Sequence, residues 1–497
     1  MRTVTIDPLT RLEGHGRIEI FLDDAGRVEN AYLQVPEMRG FEQFCVGRLA
    51  EDMPALTSRI CGLCPEAHLM ASAKALDDLF QVAVPRTGRL LRELLYASFY
   101  AIDHLTHFYA LGGPDLIVGP EAEPAQRSLM GVIGKLGAET GKQVIAFRRR
   151  TSEVIELLGG RGVHGTGAVP GGWSKRITEE ERETALAAGR ANVEFALASL
   201  DLFEKVVLKD PQWREVLLGE QYRVRTHSMG TVNAVGRADF FDGTVRVVDP
   251  EGVQVVQYPV REYPDHVAEH TEPWTYMTFP YLRERGWQGF TEGAESGVYT
   301  VGPLARLNVA EALTTPRAQE HFARYFTFFG AHRPGGRHVP VHQRLATHWA
   351  RLIEVLNASE RMVELALDPE IISPHTRELP SGEINPGGGI GSVEAPRGTL
   401  IHHYEADERG VLTSVNMIVG TVNNNAAMSM SIGRAARAYL DEADEVNDGL
   451  LNRIEMAMRL YDPCLSCATH SLPGRMPLQV NIRDAAGSLV RELRRDG

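Results

Sequence analysis

Apolar side chains recur at every third or fourth position over residues 88–111, a spacing that predicts an amphipathic helix with one buried stripe. A second long helix is predicted to begin after Thr178, because Thr178 and Glu181 have the spacing of a capping box. We expect this helix to run through Leu208 and to be stopped by Pro211, which has no backbone N–H to donate. The dominant local pattern is therefore helical.

Strand patterns are fewer and shorter. Arg17–Leu22 and Val28–Val35 flank the turn sequence Asp-Asp-Ala-Gly-Arg, which predicts a hairpin. Two further hairpins are predicted, with strands at residues 244–248 and 253–258, and at residues 399–404 and 411–418. The predicted fold class is α+β and predominantly helical, with a central bundle of long helices and small peripheral antiparallel sheets.

A glycine-rich stretch spans Gly387–Gly391. It lacks a clear strand before it and a convincing helix after it, and a dinucleotide-binding loop requires both. The sequence therefore contains no nucleotide-binding fingerprint.

The composition is that of a globular protein, with a formal net charge of −13, a hydrophobic content of 43% and a mean hydropathy of −0.19. The acidic balance argues against a nucleic-acid partner. No apolar stretch approaches the ~20 residues needed to cross a bilayer, and the N-terminus lacks a signal-peptide pattern. We therefore expect a cytoplasmic protein without a membrane span.

Four of the five cysteines lie in two short motifs nearly the whole chain apart. Residues 59–68 read Arg-Ile-Cys-Gly-Leu-Cys-Pro-Glu-Ala-His, and residues 462–470 read Asp-Pro-Cys-Leu-Ser-Cys-Ala-Thr-His. A helix predicted over Asn447–Leu460 leads directly into the second motif. Thiolates select soft or borderline metals, and a Cys-x-x-Cys turn can direct both sulfurs at one ion. The predicted metal ligands are Cys61, Cys64, Cys464 and Cys467.

A structural zinc site or a disulfide-exchange motif is the commonest explanation of such cysteine pairs. Zinc ribbons usually separate their two pairs by roughly 15–20 residues, whereas roughly 400 residues intervene here. The two pairs alone do not distinguish a structural metal from a catalytic one.

The residues around the cysteines resemble those of the large, catalytic subunit of nickel–iron hydrogenases, in particular the cytoplasmic multi-subunit type. Five further segments match motifs of that family in the same order, namely residues 7–15, 39–42, 103–109, 159–172 and 395–398. The resemblance implies a fold built around long helices. It also implies an enzyme that cleaves H₂ reversibly into protons and electrons.

The cofactor that the resemblance implies contains nickel and iron. Cys61 and Cys464 would be terminal nickel ligands, while Cys64 and Cys467 would bridge nickel and iron. The iron in such enzymes carries carbon monoxide and cyanide ligands that do not come from the protein. A metal is needed because no ordinary side chain can deprotonate H₂ without one.

Five other residues are implied to act close to the metals. Glu13 corresponds to a glutamate that contacts a terminal cysteine, and it would carry the first proton, which burial would assist by raising its pKa. Arg397 corresponds to an arginine over the open metal position, where it could orient the substrate or act as a base, and it would pair with Asp103 and Asp462. His68 would hydrogen-bond a cysteine sulfur and tune its basicity.

A magnesium site is also implied. Its ligands would be Glu42, His470 and a backbone carbonyl near Met417; oxygen ligands suit this ion, although the histidine nitrogen does not. Pro396 and Thr421 correspond to positions that contact the nickel–iron cofactor.

The chain provides no cysteines for an iron–sulfur relay. Only Cys45 lies outside the two motifs, and we interpret it as a buried structural thiol. Electrons would therefore leave through an iron–sulfur small subunit, then through further electron-transfer subunits to NAD, to ferredoxin with heterodisulfide, or to a deazaflavin. A hydrogen-sensing regulatory subunit is an alternative, although sensors in the family usually lack a C-terminal tail.

Length alone would suggest about three domains, but no linker, repeat or low-complexity segment separates them. The two cysteine motifs must also meet, so we expect one domain over residues 1–470. The resemblance implies that residues 471–497 are a maturation tail, which an endopeptidase removes after His470 once nickel is inserted.

Overall fold

Long helices lie at the centre of the structure, and short sheets surround them. The computed structural model describes residues 2–332, 337–441, 443–471, 478–484 and 488–495. Within these ranges the α-helices are α1 (Phe41–Cys45), α2 (Met53–Thr57), α3 (Pro65–Leu79), α4 (Arg86–Thr106), α5 (Leu129–Leu136), α6 (Ala138–Gly159), α7 (Glu179–Phe203), α8 (Pro211–Leu218), α9 (Tyr263–His266), α10 (Pro303–Val309), α11 (Pro316–Phe328), α12 (Thr347–Leu367), α13 (Asn425–Leu440), α14 (Asp448–Arg459) and α15 (Leu465–Ala468).

The strands are short and mostly antiparallel. They are β1 (Arg2–Ile6), β2 (Arg17–Leu22), β3 (Val28–Gln34), β4 (Ala168–Val169), β5 (Gly172–Trp173), β6 (His227–Val232), β7 (Thr244–Val248), β8 (Gln254–Tyr258), β9 (Val267–Thr271), β10 (Thr278–Leu282), β11 (Tyr299–Thr300), β12 (Gly389–Ala395), β13 (Gly398–Ala406), β14 (Leu412–Ile418), β15 (Leu478–Arg483) and β16 (Leu489–Arg495). In the described part of the chain, three sheets have more than two strands, in the orders β1-β2-β3, β11-β6-β7-β8 and β12-β13-β14. This arrangement confirms the predicted α+β, predominantly helical fold.

Helices α4, α6, α7 and α12 pack against one another and form the central bundle. Helix α4 contains the stripe predicted over residues 88–111, and a π-helical turn, His107–Gly112, extends it. Helix α12 is buried along most of its length because the other helices cover it on several sides. Within the described residues, no helix combines the length and the apolar character needed to span a membrane.

The helical run predicted from Thr178 through Leu208 is present, with α7 as its α-helical part and a π-helical turn as its last part. Thr178 and Glu181 form the expected reciprocal capping box. A π-helical turn, Glu204–Leu208, ends the helix before Pro211 is reached. Pro211 instead lies in the first turn of α8, where a missing backbone N–H costs no hydrogen bond.

The three predicted hairpins are present as β2–β3, β7–β8 and β13–β14. The glycine-rich stretch, interpreted from sequence as a loop without a strand, leads directly into β12. A Cβ at Gly391 would lie 2.2 Å from Ala71 O, and one at Gly389 would lie 2.1 Å from Ala75 O. The glycines therefore let β12 contact α3, the helix that begins directly after Cys64.

The two ends of the chain meet. Glu13, between β1 and β2, forms an isolated parallel bridge with Cys464, and Leu465 N donates to Glu13 O at 3.0 Å. Ile6 and Leu9 belong to the same hydrophobic core as Leu465. The N-terminal sheet thereby holds the second cysteine motif in place.

Candidate metal centre

The first cysteine motif connects a 3₁₀ turn to a helix. Cys61 follows the turn Ser58–Ile60 in an extended conformation, and Leu63 N donates to its sulfur at 3.2 Å. Cys64 is the N-cap residue of α3, and Pro65 occupies the first position of that helix. The motif is therefore fixed on one side by α3, which packs on β12.

The second motif follows α14 through a tight turn. Asp462 has a positive φ of 56°, which turns the chain towards Pro463 and Cys464. Cys464 N donates to Thr421 Oγ1 at 3.2 Å. Cys467 follows within the single turn of α15.

The four sulfur atoms of the two motifs converge. Their Sγ atoms all lie within 4.8 Å of one another, and all four residues are buried. The shortest separations are 3.0 Å between Cys61 and Cys464, and 3.5 Å between Cys64 and Cys467. These distances exceed a disulfide bond, and all four thiols are free. The donor set suits soft or borderline metals such as nickel and iron.

The thiols influence one another electrostatically. Hydrogen bonding from Cys464 and the other two thiols lowers the pKa of Cys61 well below its usual value. Burial raises the pKa of Cys464 and Cys467 well above theirs. Removing all four protons therefore requires a compensating cation.

Glu13 contacts the sulfur of Cys464. Its Oε2 lies 2.9 Å from Cys464 Sγ and accepts from Ser466 N at 3.1 Å, while Oε1 accepts from Ser466 Oγ at 2.6 Å. Glu13 is only partly buried, contrary to the expected burial, because its loop lies at the surface. Ser466 was not predicted from the sequence, although it lies inside the second motif.

Arg397 lies in the turn between β12 and β13 and is paired with both expected acids. Its Nε donates to Asp462 O at 2.6 Å, and its terminal nitrogens lie 3.0 Å from Asp462 Oδ2 and 3.3 Å from Asp103 Oδ1. Burial acts to lower the pKa of Arg397, but Asp103 and Asp462 raise it well above its usual value. Burial raises the pKa of Asp103 to about 7.

A second buried arginine supports this turn, and sequence reasoning missed it. Arg306 donates to Glu354 at 2.7 Å and to Glu394 at 2.9 Å. It also donates to the carbonyl oxygens of Ala395 and Pro396. Arg306 belongs to no cysteine motif, so no local pattern indicated that it fixes the backbone beside Arg397.

His68 lies beside Cys467, as expected. Its Nε2 is 3.6 Å from Cys467 Sγ. The side chain is completely buried, and burial lowers the pKa of His68 to about 4. The imidazole is therefore neutral near neutral pH.

The three predicted magnesium ligands also come together. His470 Nε2 lies 2.7 Å from Met417 O and 3.4 Å from Glu42 Oε1, and Glu42 Oε1 accepts from Met417 N at 2.7 Å. Burial acts to lower the pKa of His470, but Glu42 raises it above its usual value. Cys45 is buried outside the four-sulfur cluster, and burial raises its pKa to about 11.

A cavity of about 130 Å³ leads towards Arg397. Its lining includes the buried Asp103 and Arg397 together with the exposed Arg148 and Val163. Glu66 also lines this cavity; its Oε1 has no hydrogen-bond partner, and burial raises the pKa of this carboxyl to about 8. The cavity therefore connects the surface to the side of Arg397.

Two protein-family models match the chain. One is described as nickel-dependent hydrogenase and matches residues 39–128 and 294–470. The other is described as HoxL-like and matches residues 3–38. Together they cover both cysteine motifs and the Glu13 loop.

Full-length relatives carry hydrogenase names. An iron-sulfur subunit of the F420-non-reducing hydrogenase of Archaeoglobus profundus is 44% identical over 495 residues, 99% of this chain and 100% of that protein. The NAD-reducing hydrogenase HoxS subunit beta of Cupriavidus necator is 38% identical over 503 residues, 99% of each chain. The crystal structure of an NAD⁺-reducing NiFe-hydrogenase in the H₂-reduced state matches with a TM-score of 0.86 at 38% identity, covering 95% of this chain and 100% of that one.

The buried carboxyl of Glu66 predicts that the stability difference between wild type and Glu66→Gln depends on pH. Its pKa rises from 4.5 to about 8 on folding, so the folded state favours the protonated form. The contribution of the protonated Glu66 carboxyl to folding stability is complete below pH 4.5 and is lost as the pH rises through about 8. Glu66→Gln, which cannot ionise, should therefore gain thermal stability relative to wild type as the pH rises through that window.

Thermal denaturation of the metal-free protein across this pH range measures the effect. Glu51→Gln, at an exposed position, is the control and should show no such trend. A constant Tm difference between Glu66→Gln and wild type would contradict the assignment.

Proposed function

The chain belongs to the nickel-dependent hydrogenase family, and from that premise we propose that it cleaves H₂ reversibly into protons and electrons at a nickel–iron pair. The observation that carries the proposal is the convergence of four buried sulfurs from opposite ends of the chain. When bound, the metals, with carbon monoxide and cyanide on iron, supply the Lewis acid that polarises H₂.

The sulfurs divide into two proposed classes. Cys61 and Cys464 would bind nickel alone, whereas Cys64 and Cys467 would be shared between nickel and iron. Cys464 is the cysteine beside Glu13, whereas Cys467 is the one beside His68. One proposed terminal ligand, Cys464, therefore lies beside Glu13, and one proposed bridging ligand, Cys467, lies beside His68.

Glu13 is the proposed first proton carrier. Its contact with Cys464 Sγ lets it take a proton beside the nickel, while its partial exposure lets it pass that proton towards solvent. Ser466 supports the role because its N–H and hydroxyl orient both carboxylate oxygens.

Arg397 is proposed to direct a fixed positive charge at the open metal position. Asp103 and Asp462 hold its guanidinium, and Arg306 fixes the turn that carries it. The adjoining cavity supports entry of H₂ from this side, because it reaches from exposed residues to Arg397. Charges held in place in a water-excluded site act strongly on developing charge.

Around this centre we propose three further contacts. Pro396 and Thr421 contact the iron ligands; Thr421 already holds the backbone of Cys464. Glu42, Met417 O and His470 bind magnesium. Their convergence supports a cation there, since a carboxylate oxygen, a carbonyl oxygen and an imidazole nitrogen lie close enough to bind one ion.

An iron–sulfur small subunit is the proposed electron partner, with further subunits beyond it in the cytoplasm. Met38, Phe44, Val46 and Leu49 expose apolar surface on one segment and are 37–50% exposed. The backbone of this segment donates to Thr469 O and His470 O, so a partner docked there is close to the cysteine motifs. Relatives named NAD-reducing and F420-non-reducing favour NAD or ferredoxin with heterodisulfide as acceptor over a deazaflavin.

We further propose that residues 1–470 are the mature domain and that an endopeptidase removes the tail after His470. Within the described part of the tail, β15 and β16 pair only with each other. Residues 472–477, which begin one residue beyond the proposed cleavage site, lie outside the described residues.

The test of the function combines metal analysis with isotope exchange. Purified protein should contain nickel, iron and magnesium, show infrared bands of metal-bound carbon monoxide and cyanide, and exchange D₂ with solvent protons. Glu13→Gln keeps the side-chain shape but cannot carry a proton. We expect it to retain the metals and to slow exchange by about 10²–10⁴-fold.

Glu29→Gln, at an exposed site on β3, is the matched control and should exchange at the wild-type rate. Wild-type exchange in Glu13→Gln would reject Glu13 as proton carrier. Wild-type protein without nickel or these infrared bands would reject the hydrogenase proposal itself.

Native mass spectrometry of the purified complex tests the partner and the tail together. Nickel-loaded chains should lack residues 471–497 and should carry an iron–sulfur subunit.

Replacing Val46 and Leu49 with Asp should release that subunit but preserve D₂ exchange, because the docking surface is lost and the metal site is not. Leu379→Asp, at another exposed apolar position, should leave the complex intact. Nickel-loaded chains that end at Gly497 would contradict cleavage.

A further inference from the structure

A chain of four buried side chains extends inward from Cys467. His68 Nε2 faces the sulfur at 3.6 Å, and His68 Nδ1 lies 3.1 Å from His402 Nε2. His402 Nδ1 lies 2.5 Å from the Tyr404 hydroxyl, which lies 3.0 Å from Ser72 Oγ. All four side chains are completely buried.

Two regular elements place these groups opposite each other. His68 and Ser72 are four residues apart on α3 and so share one face of the helix. His402 and Tyr404 are two residues apart on β13 and so share one face of the strand. Because α3 packs against β13, the two strand residues lie between the two helix residues, and the fold itself builds this order.

The chain restricts the protonation of its imidazoles. A neutral imidazole has one donor nitrogen and one acceptor nitrogen. Among the described residues, no carboxylate forms a hydrogen bond or ion pair with His68 or His402 that would favour a charged ring. Two proton arrangements therefore satisfy every link, one with all protons directed towards the sulfur and one with all directed away. The hydroxyls of Tyr404 and Ser72 fit either arrangement because each can donate or accept.

A thiolate at Cys467 selects between these two arrangements. It can only accept, so His68 Nε2 must carry the proton, His68 Nδ1 must accept from His402 Nε2, and His402 Nδ1 must accept from Tyr404. Without the Tyr404 hydroxyl, His402 Nδ1 would be a buried acceptor with no donor. In the opposite tautomer the same atom would be a buried donor with no acceptor, so removing the hydroxyl leaves the His402 ring without the hydrogen bond that fixes its orientation towards His68.

We propose that His402, Tyr404 and Ser72 are positioning residues that hold His68 as a hydrogen-bond donor to Cys467 and thereby reduce electron donation from this sulfur to the metals. This inference rests on the proposed function, in which Cys467 is a bridging ligand. The hydrogen bond withdraws charge from the thiolate, as outer groups around metal ligands commonly do.

Tyr404→Phe tests the proposal because it removes only the hydroxyl. We expect unchanged nickel and iron contents and a metal–carbonyl infrared band shifted to lower wavenumber, since a more electron-rich sulfur increases back-donation from iron. Turnover should fall by about 10-fold with unchanged KM for H₂. Tyr325→Phe is the matched control: Tyr325 is equally buried, and its hydroxyl has no hydrogen-bond partner in the described structure.

Ser72→Ala provides a second measurement if Tyr404→Phe folds poorly. It should shift the band in the same direction by less, and it should add nothing to the Tyr404→Phe shift because both changes act through one chain. Unshifted bands in both variants, or an equal shift in Tyr325→Phe, would overturn the proposal. Absence of carbonyl bands from wild type would instead overturn the proposed function, so the two failures are distinguishable.

Discussion

Everything in this structure depends on four sulfur atoms being held within 4.8 Å of one another by segments from opposite ends of the chain. Buried thiolates repel one another, so the surrounding protein must enforce the arrangement until a cation compensates it. Hydrogen bonds attach the second motif to separate parts of the fold, among them those of Leu465 to Glu13, Cys464 to Thr421, and Arg397 to Asp462. The loop between β1 and β2, the loop after β14 and the β12–β13 turn thus all hold one cysteine pair.

Ion pairs hold the charged side chains around the sulfurs in fixed positions. Arg397 and Arg306 are almost completely buried, and each is paired with two carboxylates. Buried ion pairs contribute little net stability, yet removing one partner costs about 3–5 kcal/mol because a charge is left uncompensated. In the proposed function these networks therefore serve to hold Arg397 in a fixed position beside the sulfurs.

The long helices and the three hairpins followed from residue periodicity and turn sequences, and the cysteine spacing identified the cluster. The roles of Arg397, Asp103 and Glu42 could be suggested only by family resemblance, because no local pattern links residues hundreds of positions apart. Other features were missed for physical reasons. The strand β12 was not predicted because its glycines, Gly389 and Gly391, do not follow a strand pattern. They are required by the close contact with α3, which leaves no room for a Cβ. Arg306 was missed because its partners are distant in sequence. The partial exposure of Glu13 was missed because it depends on the position of its loop at the surface of the folded protein.

The most direct test of the central claim is X-ray absorption spectroscopy at the nickel edge of the purified protein. We predict nickel surrounded by thiolate sulfur, with iron as a near neighbour, and loss of part of the sulfur shell in Cys464→Ser. Nickel bound only by nitrogen and oxygen, or a sulfur shell unchanged in Cys464→Ser, would contradict this claim.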